Sequence, residues 1–204
     1  MNRLVPVFLL FLASCVRGSD EPAKIVAPAG AASAVFSGGC FWCIQPPFDD
    51  AKGVYVTYVG YCGGNAPNPT YGQVSTGGTG YRESIEVFYD PAQISYKQLL
   101  DIFWHNIDPT QPDGQFYDIG SQYTTAIYYS NDGEKREATA SLDALQNSGK
   151  FKGPIATKIL PLTKFWPAEE HHQRYSRKNP EQYGAYHGAS GREGFFQQTW
   201  GAGR

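Results

Sequence analysis

Apolar and polar positions change period several times along this chain, and each change marks an element. Ala34-Val35-Phe36 is a short apolar run leading through Gly38-Gly39 to Cys40, which predicts a strand ending in a tight turn. A helix is expected over 42–51, with an irregular start because Pro46 and Pro47 lack the N–H groups a helix uses. Residues 54–61 are rich in β-branched and aromatic types, and 84–89 alternate, so both read as strands flanking a Gly/Pro/Asn loop over 63–80. Ser95-Tyr96-Lys97-Gln98 is a capping box, opening a helix that ends near Asn106. A strand over 123–129 precedes the clearest helix, 131–148, which Gly149 stops. Another strand is expected over 156–160 and a last helix over 167–178, with Pro167 suited to its first position. Residues 179–204 show glycines and aromatics without period, and are expected to wrap the domain without regular structure. Mixed strands and helices in this order predict an α+β domain of two layers.

The first residues carry a different pattern. Asn2-Arg3 is a positive start, 4–12 is apolar, and Ala13-Ser14 is small, which predicts a secretory signal over 1–14. Leu12-Ala13-Ser14-Cys15 resembles the bacterial lipoprotein box, implying cleavage before Cys15 and acylation of its thiol; a plain signal peptide cut elsewhere is the rival reading. The apolar run is well short of the roughly 20 residues a bilayer span needs. Residues 15–33, of Ala, Pro, Gly and Ser, read as a flexible tether, leaving 34–204 as a single catalytic domain. The expected location is the bacterial cell envelope, lipid-anchored, with the outer membrane or periplasmic face favoured because Val16 is not the aspartate that, by resemblance to bacterial sorting rules, retains lipoproteins in the inner membrane.

Net charge is −2, and Lys and Arg are scattered, so no stripe exists to bind nucleic acid. Without Cys15, three cysteines remain, an odd count that argues for a working thiol over a disulfide framework. Met1 is the single methionine, which fits life under oxidants. The run Gly38-Gly39-Cys40-Phe41-Trp42-Cys43 sets a thiol at a helix start, where unpaired N–H groups favour its thiolate, and places Cys43 within reach to trap an oxidised Cys40. Beyond this pair, Cys62 and four histidines supply no second paired ligand set, so no metal is expected. His171-His172 read as mid-helix hydrogen-bonding and surface residues. A disulfide exchanger would use the same two cysteines, whereas an aromatic-rich binding module would need neither.

Gly39-Cys40-Phe41-Trp42 recurs here with Asn68-Pro69-Thr70-Tyr71, Gly80 followed by Glu83, Asp108-Pro109-Thr110, Asp118-Ile119-Gly120-Ser121-Gln122-Tyr123 and Ala168-Glu169-Glu170-His171-His172-Gln173. Together these resemble peptide methionine sulfoxide reductase A, of the Gly-Cys-Phe-Trp-Cys type, over about 35–179, with a tail ending near 188–192. The resemblance implies a mixed β-sheet with helices packed on it around a ferredoxin-like core, and a monomer. It implies reduction of methionine S-sulfoxide, free or in proteins, through a cysteine sulfenic acid, with no bound cofactor and with recycling by an external thioredoxin-like thiol. By position, Cys40 corresponds to the nucleophile, Phe41 and Trp42 to the hydrophobic floor, Glu83 to the acid on the sulfoxide oxygen, Tyr71 and Tyr123 to its phenolic helpers, and Asp118 to a polar group of the pocket. Tyr81-Arg82 stands where His-Thr is usual and Ile107 where histidine is common, and the C-terminal resolving cysteines of other members are absent. Resolution therefore falls to Cys43, to Cys62 or to an external thiol.

The chemistry explains the residue types. A sulfoxide sulfur is a poor electrophile until its oxygen is protonated, and a free glutamic acid, with a pKa of about 4.3, is ionised at neutral pH. Burial beside aromatic walls raises it toward the protonated form.

Overall fold

The computed structural model describes residues 20–201. The signal over 1–14 and the acylation of Cys15 lie outside the described residues. Strand β1 (Ala32–Ser37) turns through Gly38-Gly39 into α1 (Phe41–Asp49), followed by β2 (Val54–Cys62), the short α2 (Tyr71–Val74), β3 (Arg82–Tyr89) and α3 (Tyr96–His105). A small hairpin, β4 (Gly114–Gln115) with β5 (Asp118–Ile119), and a 3-10 turn over Ser121–Tyr123 precede β6 (Ala126–Tyr129) and α4 (Asp132–Asn147). The chain continues through β7 (Lys158–Pro161), β8 (Trp166–Pro167), a 3-10 turn over Glu170–His172, and helices α5 (Tyr175–Lys178), α6 (Pro180–Ala189) and α7 (Arg192–Trp200).

Strand order is β7-β6-β1-β3-β2-β8, antiparallel except for the β6–β7 pair. The inner four strands with α1 and α3 follow the split βαβ pattern of a ferredoxin-like core, as expected. Alternation along the strands separates two faces. Phe36, Val59, Tyr61, Ile85, Val87 and Ile127 join residues of α1, α3 and α4 in the main core, while Val35, Cys62, Ala126 and Tyr128 form a smaller cluster on the reverse face. Phe36 is fully buried and lies 5.3 Å, centroid to centroid, from both Phe48 and Phe103, tying β1 to α1 and α3. The capping box of α3 is formed: Ser95 Oγ accepts from Gln98 N at 3.3 Å, and Gln98 Oε1 accepts from Ser95 N at 2.9 Å.

Four expectations change. The helix over 167–178 is instead β8, a 3-10 turn and α5. The Ala168 N–H goes to Val59 O at 2.9 Å, the Gln173 carboxamide bonds both Val59 N and Val59 O at 2.9 Å, and Arg174 sits at φ +50°, so sheet-edge pairing outcompetes helix. The strand expected from 123 starts at Ala126, because Tyr123 lies in a 3-10 turn that follows Gly120. The tail over 179–204 is not irregular in its described part: Pro180 starts α6, and Gly191 at φ +76° turns the chain into α7. Of these two helices only Arg192 and Phe196 are buried, so no apolar stripe announced them. The tether over 15–33 is seated on the domain where it is described. Glu170 N donates to Glu21 O at 3.0 Å and Ala23 N to Ala168 O at 2.9 Å, since the backbone after β8 offers unpaired edge groups.

Candidate active site

The site is built on the turn between β1 and α1. Gly39 has φ +84°, and a Cβ there would stand 2.5 Å from Gln115 Cβ, so this position takes only glycine. Gly39→Ala should destabilise the fold by about 2–4 kcal/mol, from overpacking plus left-handed strain, measured by urea unfolding. A loss below about 0.5 kcal/mol would show that the turn adapts. Cys40 is the N-cap of α1, its carbonyl accepting from Cys43 N at 3.0 Å and Ile44 N at 3.3 Å. The first helical N–H, on Phe41, has no partner within the helix and donates instead to Glu83 Oε2 at 2.9 Å. That bond holds the carboxyl of β3 against the thiol-bearing turn.

A cavity of ≈ 190 Å³ gathers Cys40, Phe41 and Trp42 from the turn, Tyr71 from α2, Glu83 from β3, Asp118 from β5 and Tyr123 from the 3-10 turn. All seven residues singled out in the sequence for attack, protonation and binding therefore meet in one place. An eighth, Tyr186 of α6, was not foreseen; its hydroxyl donates to Asp118 Oδ2 at 2.5 Å and lies within hydrogen-bonding reach of Cys40 Sγ. Arg192, at the start of α7, was missed as well. It is 2% exposed and places Nη2 2.9 Å from Asp118 Oδ2. The one sequence signal for these two was the tail resemblance.

The segment after β8 supports the walls. Glu169 accepts from Tyr61 Oη and from Tyr71 N, both at 2.8 Å, and so fixes the start of α2. His172 Nδ1 accepts from Trp42 Nε1 at 3.2 Å, and its ring lies 4.5 Å from that of Tyr71. The reading of His171-His172 as mid-helix surface is thus corrected: they lie in a 3-10 turn, and His172 is buried among the aromatic walls. Trp42 stacks on Tyr175 at 3.8 Å. A roomier groove of ≈ 480 Å³ between α3 and α4 is lined by Trp104, Leu145 and Trp200 and contains no thiol.

Residues 32–204 match the family model described as peptide methionine sulfoxide reductase. The chain belongs to that family. The peptide methionine sulfoxide reductase MsrA of Bacillus licheniformis is 49% identical over 168 residues, covering 82% of this chain and 93% of the relative. Among solved structures, methionine sulfoxide reductase A of Corynebacterium diphtheriae is 35% identical with a TM-score of 0.71, covering 75% of this chain and 77% of that one. Mxr1 of Saccharomyces cerevisiae in reduced form is 30% identical with a TM-score of 0.72, covering 80% and 94%. The fold is the one these reductases share, and the enzyme is an oxidoreductase.

Burial governs the electrostatics of this reductase. Glu83 is 2% exposed, and burial, followed by the nearby Cys40 charge, raises its carboxyl well above the usual range against the pull of the Phe41 N–H. Burial also lifts Tyr71, to about 12, and raises Tyr123, so both phenols stay protonated and can donate. His172 is pushed down to about 4 by burial and by His171, which suits a neutral ring accepting from Trp42. At Cys40, burial and the facing Cys43 push the thiol up, against the pull toward thiolate expected of a helix start. Cys43 shifts down, chiefly because Cys40 donates to it and also because Arg192 is near. Among the described residues no cluster of His, Cys, Asp or Glu is placed to hold a metal ion.

Proposed function

We propose that this reductase converts methionine S-sulfoxide, free or in peptides and proteins, to methionine through a Cys40 sulfenic acid that Cys43 resolves and a thioredoxin-like dithiol recycles. The observation that carries this reading is one aromatic-walled cavity holding both a thiol, Cys40, and a buried carboxyl whose proton affinity burial raises, Glu83. The substrate methyl rests against Phe41 and Trp42 while its oxygen accepts from Glu83 and the Tyr71 and Tyr123 hydroxyls. As the oxygen takes the Glu83 proton, sulfur becomes electrophilic and Cys40 Sγ attacks. The S–O bond moves to Cys40, methionine leaves, and the Cys40 proton replaces the one Glu83 gave. Methyl, oxygen and attack direction each have a fixed side, so one epimer fits.

Resolution by Cys43 is favoured over Cys62 by the two faces of the sheet. Cys43 lies one turn along α1 from Cys40, whereas Cys62 belongs to the reverse-face cluster and burial pushes its thiol up to about 11. Condensation of the Cys40 sulfenic acid with the Cys43 thiol releases water and forms the disulfide. Mxr1, which shares the fold, has also been solved in complex with Trx2, and a dithiol of that class is the partner proposed here. Cys43→Ser should still form about one methionine per enzyme in a first turnover, then cycle roughly tenfold or more slowly with a dithiol, while Cys62→Ser cycles normally. Full-rate cycling of Cys43→Ser would remove Cys43 from the mechanism.

The direct test of the reaction is stoichiometric. Reduced enzyme mixed with each epimer of N-acetylmethionine sulfoxide, without reductant, is expected to yield about one methionine and lose two thiols with one epimer alone. No methionine from either epimer would end the proposal. The work is placed in the bacterial cell envelope, where oxidised exported proteins are substrates, on the strength of the Leu12-Ala13-Ser14-Cys15 pattern. Mass spectrometry of the mature protein is expected to find acylated Cys15, and an unmodified N-terminus there would withdraw the anchor.

A further inference from the structure

Cys40 and Cys43 open into different cavities. Cys40 lines the ≈ 190 Å³ aromatic pocket, while Cys43 lines a separate one of ≈ 240 Å³ with Pro46, Pro47, Asp50, Tyr183 and Arg192. No residue is shared between the two linings. We propose that the cavity at Cys43 is a separate entrance for the thiol reductant, so that sulfoxide and dithiol reach opposite ends of the cysteine pair. This rests on the reading that Cys40 and Cys43 form a disulfide.

The second cavity has a mouth and a charged wall. Its rim reaches solvent at Asp50, whose side chain is 76% exposed. Its inner wall holds the Arg192 guanidinium, 2% exposed, with Nη2 spent on Asp118 but Nε and Nη1 without a hydrogen-bond partner among the described residues. The Phe116 ring lies 4.6 Å from the guanidinium carbon. A buried cation with unused donors beside an electrophilic sulfur suits an incoming anion, and the anion that disulfide reduction requires is a thiolate. Arg192 also lowers the Cys43 thiol, in keeping with negative charge developing on this side.

The exchange balances over a dithiol. A reductant thiolate attacks Cys43 Sγ, a new S–S bond forms, and the Cys40–Cys43 bond breaks. Cys40 leaves and takes a proton from Glu83. The second reductant thiolate then attacks the mixed disulfide, closing the reductant's own disulfide and freeing Cys43 as a thiolate beside Arg192. Two electrons pass to the cysteine pair, and the two protons the dithiol released to water restore Glu83 and remain available to Cys43.

The test starts from enzyme oxidised with diamide, which makes the Cys40–Cys43 disulfide without sulfoxide chemistry, so its result is independent of whether sulfoxide is the substrate. Reduction by dithiothreitol is followed by thiol release. Pro47→Trp, which fills the second cavity, should slow reduction about tenfold or more. In wild-type enzyme, N-acetylmethionine methyl ester, which enters the first cavity, should leave the rate within about twofold. The proposal is overturned if folded Pro47→Trp is reduced at the wild-type rate. It is equally overturned if the ester slows reduction in proportion to its concentration, which would place the reductant in the substrate cavity.

Discussion

Cys40→Ser should form no methionine in a single turnover, and its steady-state rate should fall at least about 10³-fold, since a hydroxyl cannot accept oxygen from a sulfoxide. The substitution keeps the size of the side chain, and the N-cap carbonyl bonds to Cys43 N and Ile44 N are backbone bonds that remain. Loss of activity with an unchanged thermal unfolding curve therefore separates chemistry from folding. The measurement is methionine counted by chromatography after mixing protein with one equivalent of sulfoxide. Retention of even a tenth of the wild-type burst would remove Cys40 as the attacking group.

Glu83→Gln should lower the rate by about 10² to 10⁴-fold, the usual contribution of a general acid. The amide keeps the shape and still accepts from Phe41 N through its oxygen, so the turn is held while the acidic proton is lost. The pH dependence gives the second readout. Burial raises the Glu83 carboxyl, so the wild-type rate should fall as pH rises through that raised value, and this limb should vanish in Glu83→Gln. Stability should move the opposite way. Above about pH 4.3 the unfolded chain has released the Glu83 proton while the folded state keeps it. Folded stability therefore falls as pH climbs toward the raised folded value and levels off beyond it. Glu83→Gln removes this cost, so its melting temperature should gain on wild type as pH rises above about 4.3. An unchanged difference across that range would show that Glu83 is not held protonated.

Local signals carried most of the elements. The capping box at Ser95, the Asn131 side chain accepting from Glu134 N at 3.0 Å, and the alternation of β3 each depend on neighbours within four residues or on one buried face. They were legible for that reason. Residues 167–178 were misread because the competing partner of Ala168 N and Gln173 is Val59, over a hundred positions away. Helices α6 and α7 were missed because only Arg192 and Phe196 of their residues are buried and they show no stripe. Tyr186 went unseen for a related cause, as one of fourteen tyrosines whose neighbours in sequence say nothing of Cys40.

By itself the sequence determined the α+β class, the Gly-Cys-Phe-Trp-Cys turn and the residue types that sulfoxide chemistry requires, because these follow from local periodicity and from the chemistry of side chains. Tertiary structure alone decided that Glu83 is buried against Cys40, that Cys62 lies on the reverse face, and that the two cysteines of one helix turn open into different cavities. Burial and facing depend on which strands and helices pack together, and proton affinity follows burial, so neither can be read from the order of residues along the chain.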